Sequence, residues 1–131
     1  MLSQIFSFNG RMARSAWWLT RLGSYGAYLA ALAVTAFVAE FFPPDLDEWA
    51  NILVVALGFV VLVWVEIATS IRRLHDIGLS GWFCLFALIP FLGLVFWLVV
   101  LDLTPGAPGL NRYGLPPNAR AAAAAAADIF V

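Results

Sequence analysis

Residues 50–69 read ANILVVALGFVVLVWVEIAT, twenty positions with one charge, Glu66, and no proline. A helix of that length rises about 30 Å at about 1.5 Å per residue, which is the thickness of a bilayer's hydrocarbon core. Two comparable stretches flank it. Residues 22–42 carry a single charge, Glu40, at their far end, and residues 82–101 carry none. In 82–101, fourteen residues are Leu, Ile, Phe or Val. At roughly −0.3 to −0.6 kcal/mol each they favour insertion by about 6 kcal/mol.

Composition agrees. The 131-residue chain is 63% hydrophobic and only 11% charged, against roughly 25% charged in a soluble domain. A soluble chain of this size cannot hide so much apolar surface, because small domains bury only part of theirs. The expected fold is therefore an all-α membrane protein of three hydrophobic helical segments. Residues 1–117 form one helical transmembrane domain and 118–131 an Ala-rich low-complexity tail. Formal net charge is −1, and all seven basic residues are Arg. Such a surface has no electrostatic footprint for nucleic acid. The single cysteine, Cys84, excludes an internal disulfide and a paired-cysteine site, and reads as a small packed hydrophobe.

Arg11, Arg14 and Arg21 before the first stretch resemble the basic start of a signal peptide. The apolar run is longer than about 15 residues and two more follow, so a retained anchor is expected. Pro43 and Pro44 should end the first segment. Gly78 suits the position that closes the second helix, and Ser80 can cap the third. Trp17, Trp18, Trp49 and Trp82 sit at span edges, where aromatic belts form. Gly23, Ala27 and Ala31, with Gly26 and Ala30, make a small-residue stripe. It suits packing within the chain or a homo-oligomer contact.

Basic residues in short loops mark the cytoplasmic side. Arg11, Arg14 and Arg21 before the first helix, and Arg72 and Arg73 in the second connection, place the N-terminus and the 70–81 connection there. The acidic 43–49 loop then lies in the periplasm. The third segment leaves two readings. It crosses fully, or it is broken and re-entrant at Pro90 and Gly93, which brings Arg112 and Arg120 to the same face as the other arginines. Leu2, Ile5 and Phe6 give a short interfacial N-terminus, and residues 104–114 a Pro/Gly-rich tail.

The polar residues fall into three groups. Arg11 and Arg14 precede the first helix, and Arg14, Trp18, Arg21 and Tyr25 share one helical face. Glu66, Arg72, Arg73, His75 and Asp76 lie in and just beyond the second segment. Arg72 and Asp76 are spaced to pair at i, i+4. A carboxylate inside a span costs up to about 3 kcal/mol, so Glu66 is expected to pair with an Arg of its own or the N-terminal helix. Asn111, Arg112 and Tyr113 make the third group. Together Arg11, Arg14, Glu66, Arg72, Arg73, His75, Asp76, Asn111, Arg112 and Tyr113 form a candidate polar cluster, structural or lipid- or partner-binding. His75 is the lone histidine. No nucleophile elbow, phosphate loop or paired-histidine motif accompanies it. It reads as a structural hydrogen-bonding residue, and no catalytic, cofactor or metal residues are assigned.

These stretches resemble a known family, the domain of unknown function 805 proteins, small bacterial inner-membrane proteins. The resemblance rests on Phe8-Asn9-Gly10-Arg11 with Arg14 and Trp17-Trp18. It continues in Arg72-Arg73-Leu74-His75-Asp76 with Gly78 and Ser80-Gly81-Trp82, in Leu88-Ile89-Pro90 with Gly93, and in Pro105-Gly106 with Asn111-Arg112-Tyr113-Gly114. It covers residues 6–117. Ala16 stands where the family often has an acidic residue, which puts a local ion pair in doubt. The resemblance implies a helical inner-membrane protein and no activity. Three roles follow as expectations: a non-enzymatic structural or interaction protein, an oligomeric transporter or channel component using Glu66 and the broken segment, or a protein that binds anionic lipid.

Overall fold

The computed structural model describes residues 6–41 and 44–119. The expectations for Leu2, Ile5, Pro43, Arg120 and the Ala-rich tail from 120 onward lie outside the described residues. Helix α1 runs Arg14–Ala39, 26 residues. Helix α2 runs Pro44–Ile77, 34 residues. Both are long and apolar enough to cross a membrane, with mean hydropathies of 1.6 and 2.6 over an 18-residue stretch of α1 and of α2. They pack against each other.

Helix α2 begins earlier than expected and ends where Gly78 should close it. Pro44 opens it rather than blocking it, because a first-turn proline loses no hydrogen bond and its fixed φ is already helical. The 43–49 stretch is therefore mostly helix, not loop. At the other end the helix runs through Arg72, Arg73 and Asp76 to Ile77. Gly78 then takes φ +94°, with its N–H on the His75 carbonyl (3.1 Å) and the Leu79 N–H on the Leu74 carbonyl (2.9 Å). That paired closure needs a left-handed residue, which glycine supplies without a Cβ penalty.

The third segment is not one helix. A 3-10 helix, Gly81–Leu88, leads to a break, and helix α3, Leu92–Leu103, follows, widening to π geometry from Trp97. Ser80 sits at the N-cap with extended backbone, but its side chain makes no capping bond. At the break, Phe91 has φ +61° and ψ −51°. The Leu92 N–H reaches the Pro90 carbonyl at 2.7 Å. This is a tight γ-turn of the strained hand, which costs of order 1–3 kcal/mol. The two halves then pack closely: a Cβ on Gly93 would sit 2.7 Å from the Ala87 carbonyl oxygen.

Burial runs opposite to that of a water-soluble domain. Leu29, Leu53, Leu94 and Leu98 stand more than half exposed, whereas Arg11, Arg73, Thr69, Ser70 and Asp76 are buried. Arginine and aspartate are almost never buried unless paired. The small apolar core is Met12, Trp17, Leu74 and Leu101. Trp17 is fully buried and so is no belt residue, while Trp18, Trp49 and Trp82 are exposed. On α1, the face toward α2 carries Ser24, Ala27, Tyr28 and Ala31. Gly23 and Gly26 face open space, so only part of the small-residue stripe serves contacts within the chain.

Candidate functional site

Asp76, one residue before α2 ends, is the centre of the polar cluster. Its Oδ1 accepts from Arg11 Nε at 2.9 Å and its Oδ2 from Arg73 Nη1 at 2.6 Å. The three side chains are 4% exposed or less. Arg11 then spends its remaining donors on carbonyls. Nη1 reaches Gly109 at 2.7 Å and Gly114 at 3.1 Å, and Nη2 reaches Asp76 at 3.3 Å and also Ala107. All five N–H groups of this guanidinium are used. A lysine at this position offers three donors from a point and could not reproduce the fork. Arg73 Nε donates to Leu101 at 3.1 Å and Nη2 to Thr104.

The helix end explains why these segments converge. The last carbonyls of an α-helix lack intrahelical partners. Here the Asp76 carbonyl accepts from Ala107 N–H (2.9 Å) and the His75 carbonyl from Asn111 Nδ2 (2.9 Å), and one turn earlier the Arg72 carbonyl takes the Met12 N–H (3.1 Å) as a further donor. The N-terminal stretch and the 104–114 loop thus cap α2, and the arginine charges complement its dipole. Gly106 is needed for the loop's approach, since a Cβ there would collide with the Asp76 carboxylate.

Beside this knot, the His75 ring stacks on Tyr113 with centroids 3.7 Å apart and planes 9° apart. His75 Nδ1 lies 3.2 Å from the Gly10 carbonyl. A carbonyl only accepts, so this nitrogen carries the proton. The Arg112 guanidinium covers the outer region of Tyr113 at 4.7 Å from its centroid, and Arg112 is exposed. Asn111 folds its own turn, accepting the Tyr113 N–H at 2.9 Å on Oδ1.

Glu66 is not part of the knot. It pairs with Arg21 of α1, Nε to Oε2 at 3.1 Å. The contact is close, yet neither atom has an aligned hydrogen bond, and both carboxylate oxygens are buried. Arg21 is clamped between Trp17 and Trp97, with its guanidinium carbon 4.5 and 4.6 Å from their ring centroids. Cation–π contacts of this kind are worth up to about 2 kcal/mol once desolvated. Glu66 also contributes to the wall of an open groove of about 830 Å3 lined by α2, the 3-10 helix, Tyr25 of α1 and Trp97, with His75, Ser80 and Tyr113 at one end.

A family model described as protein of unknown function (DUF805) matches residues 5–115. The chain belongs to the DUF805 family. Among its curated relatives is "Inner membrane protein YhaH" of Escherichia coli K12, 31% identical over 126 residues, spanning 90% of this chain and 93% of that protein. "Inner membrane protein YhaI" of the same organism is 31% identical over 122 residues, with 90% and 92% covered. No solved structure matches this DUF805 chain.

Of the ten residues singled out in the sequence, the structure gathers Arg11, Arg73, His75, Asp76 and Asn111 by direct hydrogen bonds, with Tyr113 stacked on His75. Arg14 reaches in from α1 to the Leu103 carbonyl at 3.3 Å, and Arg72 contributes its backbone. Asp76 is held by Arg73 at i, i+3 and by Arg11, where the spacing pointed to Arg72. Arg112 stays at the rim. Glu66 belongs to a separate ion pair with Arg21. Asp102 was missed. It lines a second cavity with Arg21, and its Oδ1 is buried. A charge immediately after the third apolar run was the available signal.

Proposed function

We propose that this DUF805 protein is a non-enzymatic interaction protein of the bacterial inner membrane, with two spanning helices and a re-entrant third segment. The observation that carries the reading is Arg11, whose N–H groups are all engaged by Asp76 and by carbonyls at 107, 109 and 114. It fixes the loop after α3 to the same end of α2 from which the 3-10 helix departs. The two halves of the third segment suit a dip into one leaflet. Eight residues of 3-10 helix rise about 16 Å at about 2 Å each, near half of a ~30 Å core. The basic residues at this end then lie in the cytoplasm by the positive-inside rule. The names of the relatives support the inner membrane as the location.

The charged groups of the knot are consumed by one another, which favours a fastening role over acid–base chemistry or capture of lipid phosphate there. Glu66 has a cation, Arg21, 3.1 Å away, which favours a structural pair over an ion relay. Two measurements test this. In a Cys84→Ala background, a Leu115→Cys protein should resist an impermeant maleimide in intact cells and react in inverted vesicles; labelling from outside contradicts the topology. Proteoliposomes should leak protons and monovalent ions no faster than empty ones. A leak abolished by Glu66→Gln would replace this reading with a transport role.

A further inference from the structure

The groove between α2 and the 3-10 helix is graded in polarity along its length. Its deep end is apolar, with Phe59, Leu62 and Val63 on α2 opposite Leu85 and Leu88. Glu66 does not interrupt this, because both its carboxylate oxygens are buried. What the side chain shows the groove is its methylene stem. Apart from the Tyr25 hydroxyl of α1 beside Glu66, the polar groups gather at the other end, where His75, Ser80 and Tyr113 lie. Just outside, Arg112 rests on the Tyr113 ring. The donors of Arg11 are all spent within the protein, whereas Arg112 is exposed. The wall formed by Gly81–Leu88 is about 16 Å long at about 2 Å per residue, close to one leaflet of a ~30 Å core.

We propose that this groove is a binding site for one phospholipid, with an acyl chain lying between α2 and the 3-10 helix and the phosphate on Arg112. An apolar trough whose 3-10 wall is about 16 Å long, near the thickness of one leaflet, fits a single chain. A cation held at its polar end by stacking complements an anionic phosphodiester. The volume of about 830 Å3 falls within the ~300–1,000 Å3 of ordinary ligand sites. A hydrocarbon tail alone would find the trough no better than bulk lipid, so the phosphate contact supplies the preference. The lipid site rests on the re-entrant reading only for the leaflet it faces, and its test does not depend on that side.

Native mass spectrometry of the full chain, released from nanodiscs of mixed phosphatidylglycerol and phosphatidylethanolamine, is the experiment. The wild type should retain one phospholipid per protein. Leu85→Trp, which fills the trough, should lower the retained fraction at least several-fold with helical circular dichroism unchanged. Arg112→Gln should weaken phospholipid retention about fivefold, the effect of one basic residue at a membrane surface. Dioleoylglycerol, which lacks a phosphate, added to the same nanodiscs should be retained by neither protein. Equal retention by the wild type and Leu85→Trp overturns the site. So does oxidative cross-linking of Cys84 to Cys84 in intact membranes, which would mean that a second copy covers the groove.

Discussion

Replacing Asp76 with Asn removes one charge and almost no volume from the centre of the knot. The carboxylate is 4% exposed, and its two cations, Arg11 and Arg73, are 1% and 0% exposed. Asparagine keeps one acceptor but presents an NH2 group to whichever guanidinium faces the other position, so two donors oppose each other. Two buried cations are left without a counterion. Removing one partner of a buried pair costs about 3–5 kcal/mol. A chain unfolded within lipid recovers part of its polar contacts, which argues for the lower end, about 3 kcal/mol. Equilibrium unfolding in mixed micelles of dodecyl sulfate and a mild detergent, followed by tryptophan fluorescence, reads this directly. A double-mutant cycle with Arg11→Met should show coupling within the about 0.5–3 kcal/mol typical of groups in one network. A loss below about 1 kcal/mol, the value of an exposed pair, would refute the claim that Asp76 fastens three segments.

Gly106→Ala should destabilise by about 1–3 kcal/mol in the same assay, since the new methyl collides with the Asp76 carboxylate. Gly78→Val should cost at least about 1 kcal/mol and lower thermal stability, because φ is +94° there. Glu66→Gln leaves Arg21 without its carboxylate between Trp17 and Trp97. It should shift tryptophan emission while leaving the knot, read as protease resistance of the 104–114 loop, unaffected. Arg11→Lys should expose that loop to protease, because a lysine's three donors cannot serve the acceptors Arg11 now holds.

Hydropathy made the helices legible, and turn chemistry made some boundaries so. The stop at Gly78 and the weakness at Pro90 could be read because each follows from a single residue's backbone limits. The start of α2 was misread because the same proline that ends one helix can open the next, and only packing decides which. The knot was half legible. Its residues stand out as polar groups beside apolar spans, but Asp76 has Arg11, Arg72 and Arg73 within plausible reach. The choice between i, i+3 and i, i+4 depends on where the 104–114 loop docks. Trp17 looked like an interfacial anchor until Trp97 and Arg21 packed around it. That arrangement joins residues 76 to 80 positions apart, and no local spacing encodes it.

A third segment that leaves and returns to one side of the bilayer puts Ser80 and Leu110 in the same compartment. Cysteines placed singly at Ser80 and Leu110, in a Cys84→Ala background and probed with an impermeant maleimide in the same oriented vesicles, test that directly. Both positions should react in inverted vesicles and neither in intact cells. Reaction of the two positions from opposite sides would show a full crossing and contradict the account.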